Sequence, residues 1–251
     1  MKILVTFAVD WEFKPWLRQR AFQKESRNDC TFRSKVKGVD VRALLTGVGT
    51  DNAVRSIATA LDEIPDLCIT SGLAGGLNPQ FRPGDVLAAR AVCDATGETL
   101  VYSDEQLFSS AIDSGAKPAS RFISVPQVVR TVDEKSRLSA SADAVDMESF
   151  AIIKELSGLG VPCVAIRSVS DSAEMSIPYD FDLALDASGR IQIFQVLGQV
   201  VCDPRRVWPL ARLGLRSSRA AASLARFLDA YVGTLAQYKE KLDVNVQHIN
   251  Q

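Results

Sequence analysis

Short apolar segments of strand length alternate along the chain with segments of helical spacing. The apolar segments are KILVTFAV, VDVRALLTGVGT, DLCITSGLAGGL, GDVLAARAV, RFISV and CVAIRSVSD, in that order. Continuous apolar runs of this length are typical of strands that are covered on both faces. Their alternation with helical segments predicts an α/β protein with a largely parallel sheet between layers of helices.

Two of the helical segments have clear boundaries in the sequence. In residues 12–22 the apolar side chains recur at helical spacing, and we expect the helix to begin at Pro15 because proline is tolerated in the first turn. In residues 51–64 the apolar positions form one face, and Asp51 or Asn52 is the expected N-cap. Both segments predict amphipathic helices that pack against the sheet.

A third helical segment, within AVDMESFAIIKEL, has two acidic residues at its start. We expect a helix over residues 147–159, with Asp146 and Glu148 at its N-terminal end. Acids in a first helical turn complement the positive end of the helix dipole. They are also groups that an enzyme can use to bind sugar hydroxyls, and the pattern alone leaves both explanations open.

The length and charge of the chain limit its architecture and its partners. With 251 residues, the chain suits one large α/β domain, and we expect a mixed, twisted central sheet flanked by helices over residues 1–251. Residues 190–240 are expected to be a helical C-terminal extension, while the polar residues 94–118 give no clear prediction. A net charge of −1 gives no indication of a nucleic-acid partner.

The cysteine pattern and the opening residues indicate the compartment. No CxxC pair is present, so a metal site or disulfide framework is not expected. The five scattered cysteines are Cys30, Cys68, Cys93, Cys163 and Cys202. The opening apolar run ends at Asp10 and Glu12 without a small-residue cleavage site, which predicts a buried strand and not a secretion signal. We therefore expect a cytoplasmic protein.

The single histidine of the chain restricts the possible chemistry. It is His248, close to the C-terminus. Ser-His-Asp, Cys-His and His-ligated metal sites therefore have no histidine available unless this end folds back. If the protein is an enzyme, carboxylates must carry most of its proton transfers, and we expect neither a metal nor an organic cofactor.

Glycine-rich or polar turns follow three of the predicted strands. They are Gly47–Gly49, Gly72–Gly76 and Ser170–Asp171. Neither glycine turn is a Walker loop or a dinucleotide-binding GxGxxG motif. Because ligands in open α/β sheets bind outside the carboxyl ends of the strands, we expect these turns, Glu12 and the acids at 146–148 to converge at one edge.

Two charged residues of the last apolar run are candidates for a site. A carboxylate beside an apolar core tends to hold its proton more strongly, so Asp171 suits a general acid. It equally suits the N-cap of a following helix. Arg167 lies within the apolar run, and a buried guanidinium is expected to pair with a carboxylate.

Five segments in a fixed order resemble one known family. They are AVDWE, GVG, SGLAGGL with PGDVL, VDMES and AIRSVSD. Over roughly residues 1–175 this order resembles the purine nucleoside phosphorylase/uridine phosphorylase superfamily, and in layout the 5′-methylthioadenosine/S-adenosylhomocysteine nucleosidases. The resemblance implies a homo-oligomeric enzyme that cleaves the N-glycosidic bond of an adenosine-type, 5′-modified purine nucleoside.

The resemblance also implies a role for each matching residue. Glu12 matches the acid that activates the attacking water, and Met147 and Glu148 match the pair that binds the ribose. Asp171 matches the acid that protonates or hydrogen-bonds N7 of the purine, with Arg167 near it. The pocket wall and its glycine turn are expected at Ala8, Val9, Gly49 and Leu73. Acid assistance to the base and activation of a nucleophile opposite follow the logic of inverting glycosidases.

The attacking nucleophile is less well determined than the bond that breaks. Hexameric phosphorylases have an arginine and a serine where this chain has Thr70 and Leu73, so hydrolysis is favoured. Phosphorolysis is the alternative, because backbone N–H groups at Gly47–Gly49 can hold an anion and Arg42 or Arg55 could reach it. Residues 123–129 lack the stacking aromatic of typical methylthioadenosine nucleosidases, so that substrate is not assumed.

The C-terminal third carries a second resemblance. Residues 186–228 are similar to the hopanoid-associated phosphorylase group, which acts on adenosylhopane and removes adenine. The arginine-rich, amphipathic residues 203–226 could contact an anionic membrane surface. We favour the alternative that helices here cover the sheet or form a dimer contact, with the arginines directed outward.

The main alternative to an enzyme is a non-catalytic protein that binds a nucleoside on the same scaffold. The presence of the three acids Glu12, Glu148 and Asp171 argues against this alternative.

Overall fold

The computed structural model describes residues 1–25, 29–177 and 207–249, and within the last range it describes the side chains of 211–236. The strands and helices in chain order are β1 (Lys2–Phe7), α1 (Asp10–Gln19), β2 (Gln23–Lys24), β3 (Thr31–Val36), β4 (Val39–Leu45), α2 (Thr50–Ala60), β5 (Leu67–Gly76), β6 (Val86–Cys93), β7 (Leu100–Tyr102), α3 (Glu105–Asp113), β8 (Lys117–Ser124), α4 (Val132–Ser139), β9 (Ala144–Asp146), α5 (Ser149–Ser157), β10 (Cys163–Asp171) and α6 (Val207–Ile249).

The strands form one mixed sheet in which five strands close into a ring. The order is β10-β6-β8-β9-β5-β1-β4-β3-β2, and β10 also pairs with β5, which closes the ring β10-β6-β8-β9-β5. Among the strands of the described residues, five of the ten pairings are parallel. The expected mixed α/β fold is confirmed, with more antiparallel pairing than the alternation of elements suggested.

The central strand β1 shows how the sheet separates two apolar layers. Alternate side chains of a strand point to opposite faces. Ile3, Val5 and Phe7 accordingly pack in the layer that contains α1, α3 and α6, and Leu4 packs in the layer of α2 and α5. The continuous apolar run predicted this two-sided burial.

Helix α6 covers one face of the sheet with its apolar side. The buried side chains on this face include Ala220, Leu224, Leu228, Tyr231 and Leu235. The hydroxyl of Tyr231 donates to the carbonyl oxygen of Leu107 at 2.7 Å, and Nε of Arg20, the C-cap of α1, lies 2.6 Å from Oδ1 of Asp229. This contact agrees with the favoured expectation of a helix that covers the sheet; residues 190–206 of the expected extension lie outside the described residues.

Three arginines of α6 lie on its exposed side: Arg212, Arg219 and Arg226. Arg216 is partly buried and donates to the sulfur of Met175. Within the part of the chain that the structure describes, no helix has the length and apolar character needed to cross a membrane.

Two predicted helix starts are wrong. Helix α1 begins at Asp10 and contains Pro15. Proline removes one helical N–H, which leaves the carbonyl of Trp11 without its donor. Trp11 is exposed, so water can serve that carbonyl, while buried Phe13 and Trp16 hold the helix to the core. Helix α2 begins at Thr50, with Gly49 as N-cap in place of Asp51 or Asn52.

The third predicted helix is shorter than expected. Residues 144–146 form the strand β9, Glu148 is the N-cap, and α5 runs from Ser149 to Ser157. The first turn of α5 therefore contains no acid. Strand β9 forms because it pairs with both β5 and β8 inside the ring. These pairing partners are distant in sequence, so the local pattern did not predict the strand.

Candidate active site

The carboxyl ends of β1, β9 and β10 and the second half of β5 meet around one cavity. Its volume is about 210 Å³. Seven of the nine residues expected at the site line it: Ala8, Val9, Glu12, Leu73, Met147, Glu148 and Asp171. The other two, Gly49 and Arg167, lie behind this lining and contact it through hydrogen bonds or charge. The expected convergence at one edge of the sheet is therefore present in the structure.

Glu12 is held from two sides by backbone donors. Its side chain is buried; Oε2 accepts a hydrogen bond from the N–H of Ala8 at 3.1 Å, and Oε1 accepts one from the N–H of Leu73 at 2.9 Å. Burial raises the pKa of Glu12, while the bond from Leu73 and the charge of Arg167 oppose the rise. The result is a fixed carboxyl group whose proton affinity exceeds that of an ordinary glutamate.

Gly72 makes this position of Glu12 possible. Its φ is +147°, a conformation that side chains rarely adopt, and a Cβ placed there would lie 3.1 Å from Oε2 of Glu12. Gly72 lies within β5, so the prediction of a turn over Gly72–Gly76 is wrong: these residues continue the strand. Glycine is needed at position 72 because it allows the close approach between backbone and carboxylate.

Glu148 is a buried acid of the cavity whose pKa lies far above its ordinary value. Its Oε1 accepts a hydrogen bond from the N–H of Gly49 at 2.8 Å. Burial and the nearby charge of Asp146 raise the pKa of Glu148 to about 8, against the opposing effects of Arg167 and the Gly49 bond. With a pKa of about 8, Glu148 is mostly protonated at neutral pH and can donate a hydrogen bond as well as accept one.

Asp146 and Arg167 form a buried ion pair beneath the cavity. Nε of Arg167 donates to Oδ2 of Asp146 at 2.8 Å, and Nη2 lies 2.7 Å from the same oxygen. The hydroxyl of Ser124 donates to Oδ1 of Asp146. The arginine therefore has the carboxylate partner that its burial requires. Its hydrogen bonds go to Asp146, Thr70 and Ile166.

Asp171 ends β10 and is buried at the rim of the cavity. Its Oδ2 accepts a hydrogen bond from Nζ of Lys135, and its Oδ1 accepts one from the hydroxyl of Ser170. No helix begins at residue 172, so the alternative in which Asp171 caps a helix is wrong. Asp171 therefore forms a buried ion pair with Lys135, an environment that the sequence did not suggest.

Several lining residues were not anticipated from the sequence. They are Trp11, Ile177, Leu213 and Ser217. Leu213 and Ser217 come from α6, so the C-terminal helix contributes to the cavity wall. Lys135 had one available signal: it precedes Leu138 by three residues, and helical residues at this spacing share a face.

Glu148 should make the stability of the protein depend on pH. A carboxyl whose pKa is about 8 in the folded state and near 4.5 in the unfolded chain retains a proton that the unfolded state releases. The free energy of unfolding should therefore fall as pH rises between these values, by at most about 1.4 kcal/mol per pH unit from this group. We expect Glu148→Gln to flatten this dependence in denaturant unfolding between pH 5 and 8.

The matched control for this measurement is Glu98→Gln, because Glu98 is exposed. It should keep the wild-type slope. An unchanged slope in Glu148→Gln would show that Glu148 is not protonated in the folded protein. Glu12, whose pKa is also raised, contributes in the same direction in both variants.

Comparisons with known proteins place this geometry in a family. The family model described as "Phosphorylase superfamily" matches residues 2–197. A relative from Campylobacter jejuni named aminodeoxyfutalosine nucleosidase is 25% identical over 224 residues, which are 78% of this chain and 97% of that protein. A 5′-methylthioadenosine/S-adenosylhomocysteine nucleosidase from Anoxybacillus flavithermus is 30% identical over 198 residues, 66% of this chain and 84% of the relative.

A solved structure agrees with the fold. The 5′-methylthioadenosine/S-adenosylhomocysteine nucleosidase from S. pneumoniae, in a structure with a transition-state inhibitor, superposes with a TM-score of 0.71 at 18% identity. The superposition covers 94% of this chain and 100% of that one. The fold, the family model and the relatives lead to one conclusion. The chain belongs to the phosphorylase superfamily, and it is an enzyme that cleaves nucleosides.

Proposed function

We propose that this protein hydrolyses the N-glycosidic bond of an adenosine-type nucleoside with a modified 5′ position and releases adenine. One observation carries the proposal: three acids distant in sequence, Glu12, Glu148 and Asp171, are buried around the same cavity. The names of the relatives, which are nucleosidases, support the same class of reaction.

The chemistry of the bond assigns a role to each acid. Cleavage produces an electron-poor, oxocarbenium-like sugar and an electron-rich base, so the sugar needs a nucleophile and the base needs a hydrogen-bonding partner. Glu12 would take a proton from the attacking water, and its raised pKa makes it a better base for this step. Met147 and Glu148 would hold the ribose, and Asp171 would bind the departing purine.

The charges around the cavity favour water over phosphate as the nucleophile. The side chains that line it include the acids Glu12 and Asp171 and, among the described residues, no arginine or lysine. A phosphate dianion would therefore be repelled by any ionised carboxylate and would have no cation of the lining to bind. Arg42, which was considered for a phosphate site, donates to the carbonyl of Ala60 and pairs with Glu25 and Asp62.

Phosphorolysis is the second candidate because another arginine lies close to the cavity. A hollow of about 780 Å³ beside it shares Ala8, Val9 and Trp11 with the cavity and is bounded by Gly47 and Arg55. An anion in this hollow would lie next to the nucleoside. The resemblance of the C-terminal third to hopanoid-associated phosphorylases would then make adenosylhopane the substrate.

The wall of the cavity suggests the character of the 5′ substituent. Val48, Met147, Ile177 and Leu213 are apolar and line the cavity. An apolar substituent would bury its surface against such side chains, at about 25 cal/mol for each Å² removed from water. We therefore expect alkyl or alkylthio substituents to be preferred over a 5′-hydroxyl.

A panel of nucleosides tests the proposal. Adenosine, 5′-methylthioadenosine and 5′-alkyl adenosines are incubated with the protein, with and without inorganic phosphate, and free adenine and the sugar product are quantified. We expect adenine and the free sugar without phosphate, at a rate that phosphate leaves unchanged. Adenine that appears only with phosphate, together with a sugar 1-phosphate, would establish phosphorolysis. No adenine under either condition would contradict the proposal, and the Glu12→Gln/Asp171→Asn double variant controls for contaminating activity.

A further inference from the structure

A lysine is completely buried beside the cavity and has no role in the reaction as described so far. Lys135 belongs to α4, and its side chain is buried. Its Nζ donates to Oδ2 of Asp171, to the carbonyl oxygen of Ser172 at 2.8 Å and to that of Met175 at 2.9 Å. An ammonium group has three N–H donors, and each of them has an acceptor here.

Helix α4 does not need this lysine for its own stability. A capping box at its start is complete, with Thr131 accepting from the N–H of Glu134 and Glu134 accepting from that of Thr131. Removing a charge from water is costly and is tolerated only with well-placed partners. The placement of Lys135 is therefore explained by what it binds and not by the helix that carries it.

The contacts of Lys135 fix both the carboxylate and the chain that follows it. Oδ2 of Asp171 faces the ammonium and Oδ1 faces the hydroxyl of Ser170, so the carboxylate plane is set from two sides. The bonds to Ser172 and Met175 hold the next turn of chain against α4. Ile177, which lines the cavity, donates from its N–H to the carbonyl oxygen of Arg130 at 2.7 Å.

We propose that Lys135 is the positioning residue for Asp171: it holds the side chain as a carboxylate, aimed so that it accepts a hydrogen bond from an N–H of the purine base. This inference rests on the proposed function, since it assumes that Asp171 meets the base. An acceptor at this point stabilises an adenine that has taken a proton on N7 from solvent, or one that presents its 6-amino group. The proton that Glu12 takes from the attacking water returns to solvent, so the reaction balances. The sequence left a general acid and an N-cap open for Asp171, and the ion pair with Lys135 favours an acceptor.

Other charged groups surround this pair and must be held constant in any test. Glu12 of α1 and Glu148 before α5 line the same cavity. Arg216 of α6 donates to the sulfur of Met175, next to the carbonyl that Lys135 binds. A comparison of variants at position 135 leaves these three groups unchanged.

The decisive experiment compares kcat/KM of Lys135→Met and Lys135→Arg with the wild type from pH 5 to 9. Without the ammonium, the buried carboxylate has no cation to oppose the cost of burying its charge, so its ionised form should be less available at low pH. Lys135→Met should lose about tenfold or more at pH 6, with the deficit narrowing toward pH 9. Lys135→Arg keeps the charge, so its ratio to wild type should not vary with pH. Lys154→Met, an exposed lysine on α5, is the matched control.

A purely structural role predicts a different result. It would lower the activity of Lys135→Met by the same factor at every pH, and that result would overturn the inference. A deficit that widens as pH rises would also overturn it, because Asp171 would then act in its protonated form. If the wild-type protein releases adenine but the kcat/KM ratio of Lys135→Met to wild type does not vary with pH, only this inference fails. If the wild-type protein releases no adenine from any nucleoside, the proposed function fails as well.

The double variant Lys135→Met/Asp171→Asn provides a test that does not depend on one variant folding. Removing both charges should restore most of the thermal stability lost in Lys135→Met, because the unpaired buried carboxylate is gone. In the Asp171→Asn background, Lys135→Met should change kcat/KM by less than about threefold. Equal losses in the two backgrounds would show that Lys135 does not act through Asp171.

Discussion

Replacing Asp171 by asparagine is expected to lower kcat/KM for adenine release by about 10²–10⁴-fold, the range typical of a group that assists proton movement in a transition state. Asparagine keeps the size of the side chain and can still accept from Ser170, but it lacks the charge that favours a purine carrying a proton. The loss should appear mainly in kcat, because the interaction strengthens as the bond breaks. Single-turnover measurements of adenine release give this rate directly.

The fold of this variant should survive, although Lys135 loses the carboxylate that neutralises it. Circular dichroism and thermal unfolding verify the fold before rates are compared. Asp133→Asn is the control, because Asp133 lies on α4 but is exposed, and its activity should match wild type. Wild-type turnover in Asp171→Asn would remove Asp171 from the mechanism and leave the purine without an assigned partner.

Replacing Glu12 by glutamine should have an effect of similar size, about 10²–10⁴-fold on kcat. The amide cannot take a proton from water, so the nucleophile is no longer activated. Its N–H₂ group would also face the N–H of Ala8 or of Leu73, both of which donate to Glu12 in the wild type. Some loss of stability is therefore expected, while the KM for the nucleoside should change little.

Adding phosphate to the Glu12→Gln variant distinguishes hydrolysis from phosphorolysis. If Glu12 activates water, adding phosphate to Glu12→Gln should not restore release of adenine. Restoration to within about tenfold of wild type, with a sugar 1-phosphate as product, would show that phosphate is the natural nucleophile. Glu98→Gln, an exposed glutamate, should behave as wild type under both conditions.

Most of the sheet could be predicted because its strands are buried on both faces. The apolar runs correspond to β1, β4, β5, β6, β8 and β10, and burial is what makes such runs continuous. The hairpin of β2 and β3 was missed, since its pattern alternates between buried and exposed positions and one partner has only two residues. Strand β9 was not predicted, because its three residues are defined by pairing partners distant in sequence.

The candidate site was predicted in its composition but not in its electrostatics. Strand ends and the family resemblance brought Glu12, Glu148 and Asp171 together. The raised pKa of Glu148 depends on burial and on Asp146, and Asp171 forms its ion pair with Lys135. Both effects come from contacts between elements far apart in the chain. The sequence around Lys135, in a mostly polar helix, resembles many solvated helices, so its burial had no strong signature.

The ring of five strands affects how the chain reaches its native state during synthesis. In the strand register, Cys68 of β5 lies opposite Cys163 of β10, and Ala89 of β6 lies opposite Ala165 of β10. A nascent chain that has not emerged past residue 163 thus exposes open edges on both β5 and β6, which are templates for unwanted association. Strand pairs between residues so far apart in sequence form slowly. Chaperone dependence in the cell should accordingly be greatest for ribosome-bound chains that end before β10.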